Sequence, residues 1–162
     1  MSRISRDEMF MQIAQIVAQR GTCDRASVGA VLVNNNRNIV AIGYNGAPAG
    51  EPHCDEVGHK LVNNHCTNAL HAEENCLEAL QKSIHYDRDG YPIGITGYHL
   101  TLYVTHYPCM KCVHKVISAV NVGGLPIGRI VYLHPFGDNP SVRQKLLKGA
   151  GISIERHIRP EE

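Results

Sequence analysis

Val28-Gly29-Ala30-Val31-Leu32-Val33 is an unbroken apolar run, the pattern of a strand covered on both faces rather than one alternating between core and water. Asn34-Asn35-Asn36-Arg37 follows as a hairpin turn and leads into a second strand, Ile39-Val40-Ala41-Ile42-Gly43-Tyr44. Toward the N-terminus, Phe10, Ile13, Ala14 and Val17 recur at helical spacing and Gly21 closes the run. Ser5-Arg6-Asp7-Glu8 has the form of a capping box at its start. Toward the C-terminus, the spacing predicts a helix over residues 67–81 with Ala72, Cys76, Ala79 and Leu80 buried, then a strand from His99 to Thr105. Pro108 suits a first helical position and opens a helix through Val120, striped by Val113, Val116, Ile117 and Val120. A strand over Ile130 to Leu133, a helix from Ser141 to Lys148 and an edge strand alternating Ile152, Ile154 and Ile158 complete the series. Residues 47–64 and 83–97 read as irregular loops. A leading helix followed by β-β-α-β-α-β-α-β argues for one α/β domain over residues 1–162, with helices on both sheet faces.

The 162 residues are 43% apolar and 19% charged, with a formal net charge of +1, enough apolar content for a core without disulfides. A protein that wraps nucleic acid carries a basic excess to neutralise phosphates, and that excess is missing. A small substrate with one phosphate needs only a local cationic pocket. No stretch is apolar enough to span a bilayer; Met9 to Val17 is interrupted by Gln12 and Gln15 and lacks the features of a signal peptide. The chain therefore reads as cytosolic, with reduced thiols. Its six cysteines and ten histidines then point to metal rather than to disulfides.

Two segments carry the chemistry, His71-Ala72-Glu73 and Pro108-Cys109-Met110-Lys111-Cys112. Cys109 and Cys112 are three apart, so at a helix start they share a face and meet the positive end of the helix dipole, which favours thiolates. With His71 they make three ligands, the number that leaves a catalytic zinc one open position for water. Glu73 is the general acid-base candidate beside that water. A lone Cys-x-x-Cys would be weak, since structural knuckles and redox pairs share it. Its combination with Pro108 and a His-x-Glu is the signature of zinc deaminases.

The likeness extends well beyond those motifs. Thr22-Cys23-Asp24-Arg25, Val28-Gly29-Ala30-Val31, Gly43-Tyr44-Asn45-Gly46-Ala47-Pro48-Ala49-Gly50, His53-Cys54, His65-Cys66 and Tyr103 through Cys109 together resemble the deoxycytidylate deaminase family of the cytidine-deaminase superfamily, over nearly the whole chain. The resemblance implies a three-layer α/β/α fold with a five-stranded mixed sheet, hydrolysis of dCMP to dUMP, and a homo-hexamer. It further implies activation by dCTP and inhibition by dTTP, the triphosphate carried with Mg²⁺, at a site involving Gly43, Tyr44, Asn45 and Gly46. Asn45 would hold the deoxyribose and the Ala72 amide the pyrimidine carbonyl. Arg25 is a candidate for phosphate or effector contact, with a solvated surface charge as the plain alternative; Lys111 and Lys115 read as exposed helix lysines.

Three features depart from the family pattern. Glu74 stands where relatives have an apolar residue, and its position on the helix suggests an interface more than the chemistry. Cys76 reads as a small core residue. The segment Gly123 to Gly128 is longer than the usual link and has no functional account.

Cys23, Cys54, His59, His65 and Cys66 remain unassigned. A second, structural zinc joining the long loop to the end of the first helix would explain how so irregular a segment is ordered. The set Cys23, Cys54, His59 and Cys66 is expected, with His65 the alternative to the last two; relatives with a second zinc in this region support it. His85, His99, His114, His134 and His157 read as ordinary histidines. Among rivals, deamination of tRNA bases calls for a basic surface, deamination of free cytidine or guanine fits the Gly-Tyr-Asn-Gly stretch poorly, and a zinc-stabilised scaffold has no use for Glu73.

Overall fold

The run at 28–33 becomes a strand over Gly29–Asn34, one residue later than the run, and every residue of that strand is buried because alternate side chains enter two different cores. The structure is a computed structural model that describes residues 3–89, 92–93, 99–137 and 139–159. In chain order its elements are α1 (Arg6–Ala18), β1 (Gly29–Asn34), β2 (Ile39–Tyr44), α2 (Cys54–Val57), β3 (Leu61–Val62), β4 (His65–Cys66), α3 (Ala72–Ser83), β5 (His85–Tyr86), β6 (Pro92–Ile93), β7 (Leu100–His106), α4 (Met110–Asn121), β8 (Ile127–His134), α5 (Ser141–Gly149) and β9 (Ser153–Arg156). The main sheet has the order β2-β1-β7-β8-β9. β1 runs antiparallel to both neighbours, while β7, β8 and β9 are mutually parallel. This is the five-stranded mixed sheet flanked by helices that the resemblance implies.

Period-two alternation divides the interior. Val31, Val33, Tyr103 and Val131 meet Phe10, Met11 and Ala14 of α1 on one face. Leu32, Leu102, Val104 and Ile130 meet Cys76, Leu80, Val113 and Leu147 of α3, α4 and α5 on the other. Among the described residues no helix is long and apolar enough to cross a membrane.

Several local expectations are corrected. α3 begins at Ala72, not Thr67, because Leu70 exchanges both backbone hydrogen bonds with Gly46 and holds the preceding residues extended. The later start places Glu73, Cys76, Leu77 and Leu80 inward and leaves Ala79 exposed. Pro108 precedes the N-cap of α4, which is Cys109, so the helix begins at Met110. The capping box at the first helix is half formed: Ser5 Oγ accepts the Glu8 N–H at 3.1 Å, but the Glu8 carboxylate turns to Gln12 and His157. α1 ends at Ala18, ahead of Gly21. Ile158 lies beyond β9 and is exposed. The expected loop at 47–64 contains α2 and leads into the β3–β4 hairpin; within 83–97 the β5–β6 pair forms, and residues 90–91 and 94–98 lie outside the described residues.

Candidate active site

α3 and α4 both start at one end of the sheet, α4 just past the C-terminal end of β7, so their first residues converge. His71 is the N-cap of α3 and Cys109 the N-cap of α4. His71 Nδ1 lies 3.4 Å from Cys109 Sγ and 3.3 Å from Cys112 Sγ. Zinc bonded at about 2.0 Å to nitrogen and about 2.3 Å to sulfur places such atoms about 3.6 Å apart in a tetrahedron, so the three donors fit the ion with little movement. The hydrogen bond from Cys112 pulls the Cys109 thiol down to about 4 against its burial, with help from His71. The same hydrogen bond, and then burial, pushes Cys112 up. A thiolate is therefore ready for the metal.

Glu73 follows one residue into α3 and is 4% exposed. Burial holds its carboxyl above the ordinary range, a condition that suits a proton carrier near neutral pH. Glu74 does not point away from the chemistry, as the sequence suggested. From the third helical position it reaches back to accept the His71 N–H at 3.2 Å, and it accepts Lys111 Nζ at 2.9 Å. Lys115 Nζ lies 4.0 Å from its other oxygen. Both lysines are exposed, as expected, but paired. Cys76 is fully buried, a core residue whose thiol burial pushes up to about 12.

A cavity of about 500 Å³ opens over this site. His71, Ala72, Glu73 and Cys109 line it, and so do Cys23, Arg25, His65 and Cys66. Asn45 lines it too, with Oδ1 accepting the Val28 N–H at 2.8 Å and Nδ2 donating to Ala26 O at 2.6 Å and Cys23 O at 3.2 Å. Arg25 is exposed and donates to the carbonyl and Oδ1 of Asn64. The Gly43 to Gly46 segment is tightly packed: a Cβ on Gly43 would meet Ala72 O and Cys76 N at 2.3 Å, and one on Gly46 would meet Thr22 Oγ1 at 2.3 Å. Tyr44 is half-buried, and its carbonyl accepts Asn75 Nδ2 at 2.7 Å.

Three further lining residues, His106, Tyr107 and Phe136, were not singled out from sequence. Adjacency to Pro108-Cys109 was the available signal for the first two; Phe136 has none in its own neighbourhood. Burial, and then His134, lowers the His106 pKa and keeps the ring neutral. Thr105 Oγ1 accepts the Gly29 N–H, which leaves its proton for His106 Nδ1 at 3.0 Å. The buried Tyr107 hydroxyl has no partner among the described residues. Arg143, buried over the Tyr107 ring, donates to Pro108 O and Phe136 O and so braces the backbone next to the metal ligands.

The leftover residues also converge. Donor atoms of Cys23, Cys54, His59 and Cys66 all lie within 4.8 Å of one another. Cys54 Sγ is 3.6 Å from Cys66 Sγ, and Cys23 Sγ is 3.7 Å from His59 Nδ1; a tetrahedral zinc sets its sulfurs about 3.8 Å apart. Asp24 Oδ1 holds His59 Nε2 at 2.8 Å, which turns Nδ1 inward in the manner of a carboxylate behind a metal-binding histidine. Burial, opposed by hydrogen bonds from His59, Asn68 and the neighbouring thiols, leaves Cys66 at about 7. His65 precedes Cys66 in β4 and stands outside this set.

The chain matches the family described as the cytidine and deoxycytidylate deaminase zinc-binding region over residues 4–128. It is similar to ComE operon protein 2 of Bacillus subtilis, 34% identical over 96% of this chain and 73% of that one. It is similar also to the deoxycytidylate deaminase of Mycobacterium phage D29, 36% identical over 82% of this chain and 97% of that one. Of two yeast deoxycytidylate deaminases it spans about half the length, 46% and 47%. Its fold is similar to the crystal structure of dCMP deaminase from the cyanophage S-TIM5 in complex with dCMP and dUMP, with a TM-score of 0.70 and 26% identity, covering 97% of this chain and 100% of that one.

Proposed function

The chain belongs to the cytidine and deoxycytidylate deaminase family, and from that premise we propose that it hydrolyses dCMP to dUMP and ammonia. The observation that carries the reading is Glu73, a buried carboxyl beside a three-donor metal site in an open cavity, for which a purely structural zinc has no use. His71, Cys109 and Cys112 would hold the zinc, which would act as a Lewis acid and make water acidic enough to attack near neutral pH. Glu73 takes a proton from the attacking water and passes it to the ring nitrogen of cytosine; it then takes the remaining proton of the added hydroxyl and delivers it to the amino group, which leaves as ammonia as the carbonyl forms. The Ala72 N–H faces the pyrimidine carbonyl. Asn45 has both amide hydrogens and one lone pair engaged, so it acts as an acceptor, taking a hydroxyl of the deoxyribose on the remaining lone pair of Oδ1. Arg25 takes the phosphate.

Cys23, Cys54, His59 and Cys66 hold a second, structural zinc in this reading. The donor spacings and the Asp24–His59 contact support it. Regulation by dCTP and dTTP with Mg²⁺, a homo-hexamer and a cytosolic setting rest on the resemblance, centred on Gly43-Tyr44-Asn45-Gly46. The experiment is ultraviolet-monitored turnover of dCMP, dCTP, deoxycytidine and cytidine, with and without dCTP or dTTP. Selective turnover of dCMP is the expected result. Turnover of none by zinc-loaded protein overturns the reading.

A further inference from the structure

Cys23 and Cys66 belong to two structures at once. Their thiols are members of the outer donor set, and both residues line the cavity that contains Glu73. Arg25 lies two residues after Cys23 and His65 one before Cys66, and both line the same cavity. The two segments also touch directly, through the Arg25 guanidinium and Asn64 at 3.0 and 3.1 Å. Asn64 sits in the turn of the β3–β4 hairpin with a left-handed φ of 63°. Among the described lining residues Glu73 is the one carboxylate, and His71, Arg25 and His65 line the same cavity.

The lining therefore carries two kinds of group: the proton carrier Glu73 with the inner donors, and a guanidinium with no carboxylate partner among the described residues together with an imidazole. A nucleoside monophosphate offers a counterpart to each, its reactive ring carbon and its phosphate. The side chains fit for the anionic end are mounted on the two segments that the outer donor set draws together.

We propose that a metal ion held by Cys23, Cys54, His59 and Cys66 fixes Arg25 and His65 as a clamp for the 5′-phosphate of a pyrimidine nucleoside monophosphate. The outer donor set then governs recognition of the phosphate, while proton transfer stays with Glu73. This rests on the nucleotide reading above, and it makes the second ion part of substrate selection.

Binding of dUMP and of deoxyuridine, measured by titration calorimetry with zinc counted per chain, tests it without requiring turnover. Cys54 is buried and does not line the cavity, so Cys54→Ser removes a metal ligand without touching the nucleotide. Wild-type protein is expected to hold two zinc ions and to prefer dUMP. Cys54→Ser loses one ion, and its preference for dUMP over deoxyuridine falls at least tenfold. Arg25→Ala keeps both ions and loses a similar factor. If Cys54→Ser yields no folded protein, His59→Ala removes a ligand from the exposed side of the cluster and answers the same question. An undiminished preference after loss of the outer ion overturns the proposal, as does a wild-type chain with one zinc or with no preference for dUMP. A wild-type chain that prefers dUMP but fails to deaminate dCMP overturns the reaction and leaves the clamp standing.

Discussion

Lys111 Nζ donates to Glu74 Oε2 at 2.9 Å, and that same oxygen accepts the His71 N–H at 3.2 Å. One atom thus joins the N-cap of α3 to α4, the helix capped by Cys109 and bearing Cys112. The Glu74 side chain is 8% exposed. Burial alone would raise its pKa, but Lys111 and the His71 amide outweigh burial and hold it below the ordinary carboxylate value.

Glu74→Ala should therefore loosen the metal site without removing a ligand. Zinc affinity is expected to fall about 10- to 100-fold, the usual effect of losing a partner behind a ligand. Lys111→Ala should cost less, because Lys111 is exposed and Lys115 stands nearby. Competition with a zinc chelator measures both, and a double-mutant cycle gives their coupling. Equal affinity in wild type and Glu74→Ala would show that the two helices are held in register by packing alone.

Glu73→Gln should keep the fold and the zinc while turnover drops about 10²- to 10⁴-fold. Its melting temperature should be unchanged or higher, because an amide is easier to bury than a carboxylate. The checks are steady-state turnover of dCMP, zinc content and thermal unfolding. Near-normal turnover would remove Glu73 from the proton transfers.

The inner donor set was legible because its information is local: Cys109 and Cys112 share a helix face by spacing, and His71 and Glu73 lie at the start of one helix. β1 was legible for a similar reason, since no polar residue interrupts residues 28–33. The outer set was expected as Cys23, Cys54, His59 and Cys66, the four that converge, but with His65 open as the alternative to the last two, because that choice depends on how the loop and a two-residue strand turn each side chain. The start of α3 was missed because the bond between Leu70 and Gly46 spans distant parts of the chain. That error carried over to Ala79, whose exposure follows once the helix begins at Ala72. The role of Glu74 escaped for the same kind of reason, as Lys111 is its neighbour only after the helices converge.

Gly43→Ala should destabilise the protein by roughly 1–3 kcal/mol. The added carbon would meet Ala72 O and Cys76 N at 2.3 Å, and backbone atoms of a helix cannot step aside as a side chain can. Because α3 also bears Glu73, activity should fall with stability. Urea unfolding and turnover of dCMP test this, and wild-type values for both would mean that β2 can separate from α3 freely.

Glu8 ties α1 to the chain after β9 through His157, at 2.5 Å, and is 7% exposed. Hydrogen bonds from His157 and then Gln12, against burial, hold its carboxyl below the ordinary value of 4.5. The unfolded chain takes up this proton first as pH falls. The stabilisation is therefore complete above about pH 4.5 and is withdrawn as pH drops through the lower folded value. Glu8→Gln should cost roughly 1–3 kcal/mol at neutral pH, and its gap from wild type should narrow in acid. Thermal unfolding between neutral and strongly acidic pH checks this; parallel curves would exclude the pair as an acid-sensitive contact.

The two donor sets also differ in their order along the chain. The outer set is complete at Cys66, whereas the inner set waits for Cys109 and Cys112. A chain made from its N-terminus has all four outer donors while the inner set still lacks both of its thiols. β1 is synthesised early too, yet its central neighbour β7 follows much later. Synthesis thus separates in time two donor clusters that a finished, metal-free chain presents together. An ion offered during translation and an ion offered to a refolded chain consequently meet different sets of donors.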